Sequence, residues 1–487
     1  MGWNFDNSLA RELDGYFAPW QAEAPEKAKL ISYNDALAER LGLPLAEESE
    51  QSRARWLGGA EVPEGAQPVA LAYSGHQFGQ FNPQLGDGRA LLLGEIVAAD
   101  GARFDMQFKG SGRTPFSRGG DGKLVLGPAL REYLISEAMA ALGIPTMRAL
   151  SVVTTGERVY RQAFHPGAVL MRVGASHLRV GTFEFAAAHK EIEELRKLAD
   201  YAIARHYPHS AKAANPYLAL LDAVMNAQIA LVSSWMHVGF VHGVMNTDNV
   251  TISGETIDYG PCAFLDAYAA NAVFSSIDEG GRYAFANQPN ICRWNMTRLG
   301  SALAPLITKL DAKGIDKANA LLGEFPERYH TAWLDGMRRK LGLQSVAEGD
   351  LDLAADLFVL MEGQEADFTL FFRHLARVPA VGPSAVTHLF KQGEVIEPWL
   401  ERWQERLANE GLADAERVAI MQAANPVYIP RNHKVEEALQ AAEKGDMEPF
   451  ERLLEAVRHP YGEREGLEEY ELPAPANEGR YVTFCGT

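Results

Sequence analysis

Cysteine is scarce in this sequence: Cys262, Cys292 and Cys485 are the three among 487 residues. No two of them have C-x-x-C spacing, so the usual structural zinc site is not expected. So few cysteines in so long a chain fit a reducing compartment, and the expected location is the cytoplasm. Positive charge is also short. Lys and Arg total 46 against 64 Asp and Glu, a formal net charge of -18. A phosphate backbone needs a basic footprint, so no nucleic-acid partner is expected, although a local basic pocket for a small phosphate ligand stays open. The opening "MGWNFDNSLARELDGYF" lacks a basic segment followed by an apolar run and is not read as a secretory leader. Gly2 invites a myristoylation reading, but the sixth residue is Asp6, where Ser or Thr is preferred. The longest apolar region, 217–241, is interrupted by Asp222, Asn226, Gln228 and two serines. It is expected to be a buried helix, and no membrane association is expected. Internal repeats and low-complexity linkers are missing as well.

What is present is an ordinary globular mixture, 47% hydrophobic and 23% charged, in a chain long enough for two or three domains or one large enzyme. Residues 1–70 read as a polar, helical N-terminal extension. Within 71–184 short apolar runs, "ALLLGEIVA" and "RFDMQFKG", alternate with glycine-rich turns, the pattern of a small sheet. One helix interrupts it: "GPALREYLISEAMAALGIP" has Pro128 near its start and Gly143 and Pro145 as a stop. Residues 185–300 turn helical and carry the loops described below, and 301–487 are mostly amphipathic helix ending in a tail with Cys485. The expected class is α+β, a bilobal protein-kinase-like fold with a small sheet-plus-helix N-lobe, a helical C-lobe and a helical C-terminal extension.

Several segments have the chemistry to hold a nucleotide. Gly86 and Gly88 stand ahead of an apolar strand, where glycine lets backbone N–H groups approach phosphate oxygens, and Arg89 beside them can fork onto a phosphate. The third glycine of G-x-G-x-x-G is absent, Leu91 standing there, and a plain hairpin turn fits the same residues. Lys109 closes the next apolar run, where a kinase keeps its phosphate-gripping lysine. Its expected partner on the following helix is Glu132, with Glu137 the other carboxylate on that helix. Residues 110–123, "GSGRTPFSRGGDGK", combine five glycines with Arg113, Arg118 and Lys123 and have Asp121 and Gly122 at the tip, as a phosphate cradle or a surface loop would. Arg172 and Arg179 are seven residues apart and would share a face if their segment were helical.

The segment 240–260, "FVHGVMNTDNVTISGETIDYG", has the outline of a kinase catalytic loop followed by a metal loop. His242-Gly243 precedes Val244, where a kinase has its catalytic aspartate, and Asn249 follows after four intervening residues. Asp258-Tyr259-Gly260 is a D-[FY]-G metal loop, and a short hairpin is expected to bring Asn249 and Asp258 to one Mg²⁺, with Mn²⁺ as the alternative ion. Valine cannot accept a proton. Asp248 is the carboxylate of the loop, and from there it would orient and deprotonate an acceptor hydroxyl. Read this way, the residues describe an ATP- and Mg²⁺-dependent transferase whose displaced base hints at chemistry other than γ-phosphoryl transfer. An ordinary kinase and a nucleotide-binding pseudokinase scaffold remain the alternatives.

The sequence resembles the selenoprotein O family, also called the YdiU family. The resemblance rests on "YSGHQFGQFNPQLGDGRA", "QFKGSGRTPFSRGGDGK", "LREYLISEAMAALGIPT", "HGVMNTDN", "DYGPCAFLD", "RYAFANQPNICRWN" and "NPVYIPRNHKVEEAL" and spans nearly the whole chain. It implies a kinase-like fold that binds ATP in a flipped orientation and transfers AMP to Ser, Thr or Tyr hydroxyls of proteins, the enzyme itself among the candidates, releasing pyrophosphate. It further implies Asp248 as base, Asn249 and Asp258 as metal ligands, and Lys109 on the phosphates paired with Glu132. Gly86, Gly88, Arg89, Asp121, Gly122, Arg172 and Arg179 match the family's nucleotide-binding positions. Animal members carry selenocysteine near the C-terminus, which implies a redox-responsive thiol at Cys485; its partner would be Cys262 or Cys292, and Cys262, four residues after Asp258, is the more consequential candidate.

Overall fold

The computed structural model describes residues 3–475 and 481–483. Ten strands form in the first 174 residues: β1 (Phe17–Pro19), β2 (Lys29–Tyr33), β3 (Val69–Leu71), β4 (Gly75–Gln77), β5 (Gln80–Asn82), β6 (Ala90–Val97), β7 (Arg103–Lys109), β8 (Leu124–Val125), β9 (Arg148–Arg161) and β10 (Ala163–Gly174). All but β4 and β5 join one antiparallel sheet in the order β1-β3-β6-β7-β10-β9-β2, with β8 on β10; β4 and β5 make a separate hairpin. Strand β6 is apolar without alternation because both of its faces are covered. Leu91 and Leu93 pack with Leu37, Leu41 and Leu57 of the helices α2 (Asp35–Leu41) and α3 (Glu50–Leu57), which follow the short α1 (Ser8–Glu12). Leu92 belongs to the core on the opposite face, with α4 (Leu126–Ala141). Helix α4 is rich in Ala, Leu and Glu, is buried along most of its length, and stops before Gly143, whose φ of 78° is left-handed.

The first 70 residues differ from the helical expectation. They supply α1 to α3 but also both edges of the sheet, β1 against β3 and β2 against β9. Five residues, "KLISY", suffice for β2 once β9 offers an unpaired edge, and a strand that short is hidden in sequence between polar helix formers.

The second lobe begins with α5 (Val180–His189), α6 (Ile192–His206), α7 (Pro216–His237) and α8 (Gln288–Leu310). The Asn215 side chain accepts from the Leu218 N–H, and Pro216 opens α7. Among the described residues α7 is the one helix long and apolar enough to cross a membrane; it packs on α8 and on the helix Phe325–Leu341. Strands β11 (Phe240–Val241) and β12 (Ala263–Phe264) pair antiparallel, so residues 242–262 form one excursion between two tied ends.

The hairpin expected inside that excursion does not form. Thr251 Oγ1 donates to the Glu255 carbonyl at 2.7 Å and accepts from the Glu255 N–H at 3.0 Å, closing a turn over Gly254. Thr251 pairs outward with Arg179, and Thr256 with Thr146. Ten further helices among the described residues run from Gly314 to Arg458. The last two, Asn432–Glu443 and Glu448–Arg458, return to pack on α4. A mixed sheet-and-helix lobe joined to a helical lobe is the bilobal kinase-like α+β arrangement.

Candidate active site

Between the lobes lies a cleft of about 510 Å³. Its upper wall is made by two loops pressed together. A Cβ on Gly86, whose φ is 142°, would lie 2.4 Å from the Phe116 ring, and one on Gly88 would lie 2.9 Å from the Phe116 carbonyl oxygen. The glycines of 84–90 are thus required by the neighbouring loop 110–123. Thr114 Oγ1 donates to the Asp87 carbonyl at 2.6 Å, and Ser117 Oγ donates to that of Gly88. At the tip, Gly122 at φ 69° lies so close to the Gly112 backbone that a Cβ would sit 2.0 Å from its oxygen.

The basic residues of these loops divide into two groups. Arg89 lines the cleft and Arg118 stands at its mouth; neither side chain has a hydrogen bond or ion pair among the described residues. Lys123, by contrast, is held by Glu157 and lies 3.6 Å from Glu23. Asp121 takes both ends of the Arg161 guanidinium at 2.7 Å. Arg161, at the end of β9, also lines the cleft and was not identified from sequence, because nothing near it in the chain marks it.

The cleft floor carries a four-charge cluster. Lys109 Nζ donates to Glu132 Oε2 at 2.6 Å and to Asp258 Oδ1, and Arg172 Nη1 bridges the same two carboxylates at 3.1 and 2.9 Å. Burial alone would raise the Asp258 carboxyl, but Lys109, Arg172 and Arg89 outweigh it and hold it well below the usual carboxylate range. Asp258 has φ 66°, a left-handed backbone uncommon outside glycine. Arg172 lies on β10 and Arg179 caps α5, so no helix gives them a common face. Arg172, Arg179 and Glu132 are buried behind the cleft surface, whereas Lys109, Asp121, Gly122, Asp248, Asn249 and Asp258 line it. Glu137 points elsewhere, buried against Arg148 in a two-pronged pair at 2.6 and 2.8 Å.

Asp248 sits across the cleft from this cluster's lysine on the loop 242–249. Burial pushes its carboxyl up to about 6, against the pull of Arg179. Its Oδ1 is buried without a hydrogen-bond partner among the described residues, and its Oδ2 accepts from Gln77 Nε2 at 3.2 Å. Arg179 Nη1 donates to the Asp248 carbonyl at 2.9 Å, with its guanidinium 4.4 Å from the centre of the Tyr73 ring. Val244 also lines the cleft, and its carbonyl accepts from Asn249 Nδ2 at 3.1 Å. The amide nitrogen of Asn249 is therefore used, and its oxygen is the end left for a cation. Asn249 and Asp258 together offer oxygen donors of the kind a hard cation takes alongside phosphate oxygens. No group of three or more His, Cys, Asp or Glu able to hold a metal occurs among the described residues, so such an ion relies on its nucleotide for further ligands.

The hairpin β4–β5 latches onto the same loop. The His76 N–H donates to Thr247 Oγ1 at 2.7 Å, Thr247 donates to Glu184 Oε2 at 2.5 Å, and Glu184 Oε1 is 2.5 Å from His76 Nδ1. The Phe78 N–H donates to Asn246 Oδ1 at 3.0 Å. These residues escaped the sequence reading because their partners lie more than sixty positions away. Of the thiols, Cys262 is buried four residues after Asp258, burial pushes the Cys292 thiol up, and Cys485 lies outside the described residues.

Comparison with known proteins matches this arrangement throughout the chain. A family model described as "Protein adenylyltransferase SelO" matches residues 1–458. Proteins named "Protein nucleotidyltransferase YdiU" from Sphingopyxis alaskensis and Cereibacter sphaeroides are 54% and 56% identical, each alignment covering 100% of both chains. One of the same name from Rhizobium etli is 52% identical over 99% of this chain and 97% of its own. Matched over nearly its whole length by the family model and end to end by relatives more than half identical, the chain belongs to the SelO family of protein adenylyltransferases.

Proposed function

We propose that this enzyme, an adenylyltransferase like its family, moves AMP from ATP to a Ser, Thr or Tyr hydroxyl of a protein acceptor, itself included, with Asp248 as base. The observation that carries the residue assignment is the Asp248 carboxylate, which lines the cleft with one oxygen free of any hydrogen-bond partner among the described residues, where the kinase-type base position is Val244. Asp248 takes the hydroxyl proton as the acceptor oxygen attacks the α-phosphorus. The new bond is acceptor oxygen to phosphorus; the bond broken is that between the α-phosphorus and the bridging oxygen, and pyrophosphate leaves. Such a step needs ATP inverted relative to a kinase, with the β- and γ-phosphates directed away from Asp248. Arg89 and Arg118, the cleft cations with no anion of their own, are suited to that leaving group. Lys109 binds phosphate, and Glu132 and Arg172 hold it and Asp258 in register.

Catalysis in the family depends on ATP and Mg²⁺. Asn249 and Asp258 would hold the ion here, and Mn²⁺ would suit the same oxygens. Bound there, the ion supplies charge neutralisation for the phosphates. Gly86, Gly88, Asp121 and Gly122 shape the two loops that close over the nucleotide, and Arg179 positions Asp248 through its carbonyl.

Thr483 supports a role for the tail. Its Oγ1 donates to the Pro261 carbonyl at 3.0 Å, so the chain two residues before Cys485 touches the neighbour of Cys262. Oxidation of the two thiols to a disulfide, with loss of two protons and two electrons to a peroxide or disulfide oxidant, would tie the tail to the metal loop.

Incubation with ATP labelled at the α- or the γ-phosphate tests the main reading. Label from the α-position is expected on protein; label from the γ-position alone would make the enzyme a kinase.

A further inference from the structure

Beside Asp248 the cleft carries two exposed apolar side chains. Phe78 and Ile277 are 37% and 50% exposed and line the cleft itself. Phe78 and Gly79 form the two-residue turn of the β4–β5 hairpin, and both have positive φ, 51° and 84°. That turn favours Asn, Asp or Gly at its first position, so a phenylalanine there is held against its backbone preference. The surroundings enforce it. Asn246 Oδ1 accepts from the Phe78 N–H at 3.0 Å and from the Tyr283 hydroxyl at 2.5 Å, and the Tyr283 ring lies edge-on to Phe78 at 5.2 Å. A strained backbone at a partly exposed apolar residue beside the Asp248 carboxylate points to function.

We propose that Phe78 and Ile277 form a docking lip for the acceptor polypeptide, taking a large apolar or aromatic side chain next to the hydroxyl that is modified. The inference rests on the adenylyl-transfer reading and adds a preference in the acceptor. Its geometry follows from Gln77. A hydroxyl held at the Asp248 carboxylate lies beside Gln77, whose amide reaches Oδ2, and the next residue along the hairpin is Phe78. An extended peptide advances about 3.3 Å per residue, so a side chain one or two positions from the acceptor reaches the lip. Phe78 stands on the hairpin that latches onto the loop 242–249, so it is carried with Asp248. His76, two residues before Phe78, is tied to the loop 242–249 through Thr247 and Glu184, which fixes the lip relative to Asp248.

The test compares two otherwise identical peptides with a single serine, flanked on both sides by Phe in one and by Gln in the other, using α-labelled ATP. The wild-type enzyme is expected to show a KM about tenfold lower for the Phe peptide, the scale on which an apolar pocket discriminates. In the double variant Phe78→Ser/Ile277→Ser that difference should vanish. Equal KM values for the two peptides in wild type, or an intact preference in the double variant, would overturn the lip while leaving adenylyl transfer standing. So would α-label on the enzyme itself with none on either peptide. Transfer of γ-label without α-label would instead remove the reading on which the lip depends.

Discussion

A buried carboxylate oxygen with no donor gains from any hydroxyl that arrives, and Asp248 is in that state. Asp248→Ala should therefore lower AMP transfer by roughly a hundredfold or more, the scale of a positioned general base, with ATP affinity much less affected because Asn249 and Asp258 remain. Steady-state rates and ATP titration of the variant check this. Val244 gives the complementary case. If its position were merely a vacated base, Val244→Asp would raise γ-phosphoryl transfer. In an inverted site the added carboxylate faces the α-phosphate, and the expected result is no γ-label and weakened α-label. Much of this was legible in sequence, because His242, Asn249 and Asp258 come in chain order and each residue type admits few roles. Arg161 and the Glu184–His76–Thr247 triangle were not legible. They are defined by contacts between distant segments, and local spacing carries no record of those.

At the scale of elements, Lys340 on the helix Phe325–Leu341 shows how far a secondary-structure reading reaches. An amphipathic helix is apparent from sequence, yet Lys340 lies on its buried side, 4.1 Å from the centre of the Phe372 ring. Burial pushes its ammonium down to about 7. The folded value is thus below the unfolded one, so between about pH 7 and 10.5 the unfolded chain holds more protons and stability rises with pH. His237, itself pushed down to about 4 chiefly by burial, adds no positive charge at neutral pH. Lys340→Met should stabilise the fold at pH 7 by about 1–4 kcal/mol, as expected when apolar packing replaces a buried charge, with the gain shrinking toward pH 10.5. Urea midpoints of both proteins across that range measure it. Elements that sit at an edge were the ones sequence concealed. Strands β1 and β2 are too short for periodicity to declare them, and the residues 250–257 have strand-like composition but find their partners outside the loop.

Across the whole molecule, the end of the chain comes back to the catalytic parts. The Tyr481 hydroxyl donates to Glu436 at 2.7 Å and accepts from Arg131 at 3.0 Å, one residue before Glu132, while Thr483 reaches Pro261. If the thiol reading holds, mild oxidation should join Cys485 to Cys262 and lower turnover reversibly. Peptide mapping that recovers Cys485 only as free thiol after oxidation would end it.

The four-charge cluster has a kinetic consequence. Lys109 and Arg172 are each matched by Glu132 and Asp258, so the floor of the cleft is close to neutral, and Arg89 and Arg118 are left to act within a chain of formal charge -18. An anionic nucleotide approaching from a distance meets repulsion first and attraction only within about a Debye length, roughly 8 Å at physiological ionic strength. Recognition of ATP is therefore short-ranged, and its association rate, followed by stopped flow, should hold steady or rise as salt is added, where a long-range steered site would slow steeply.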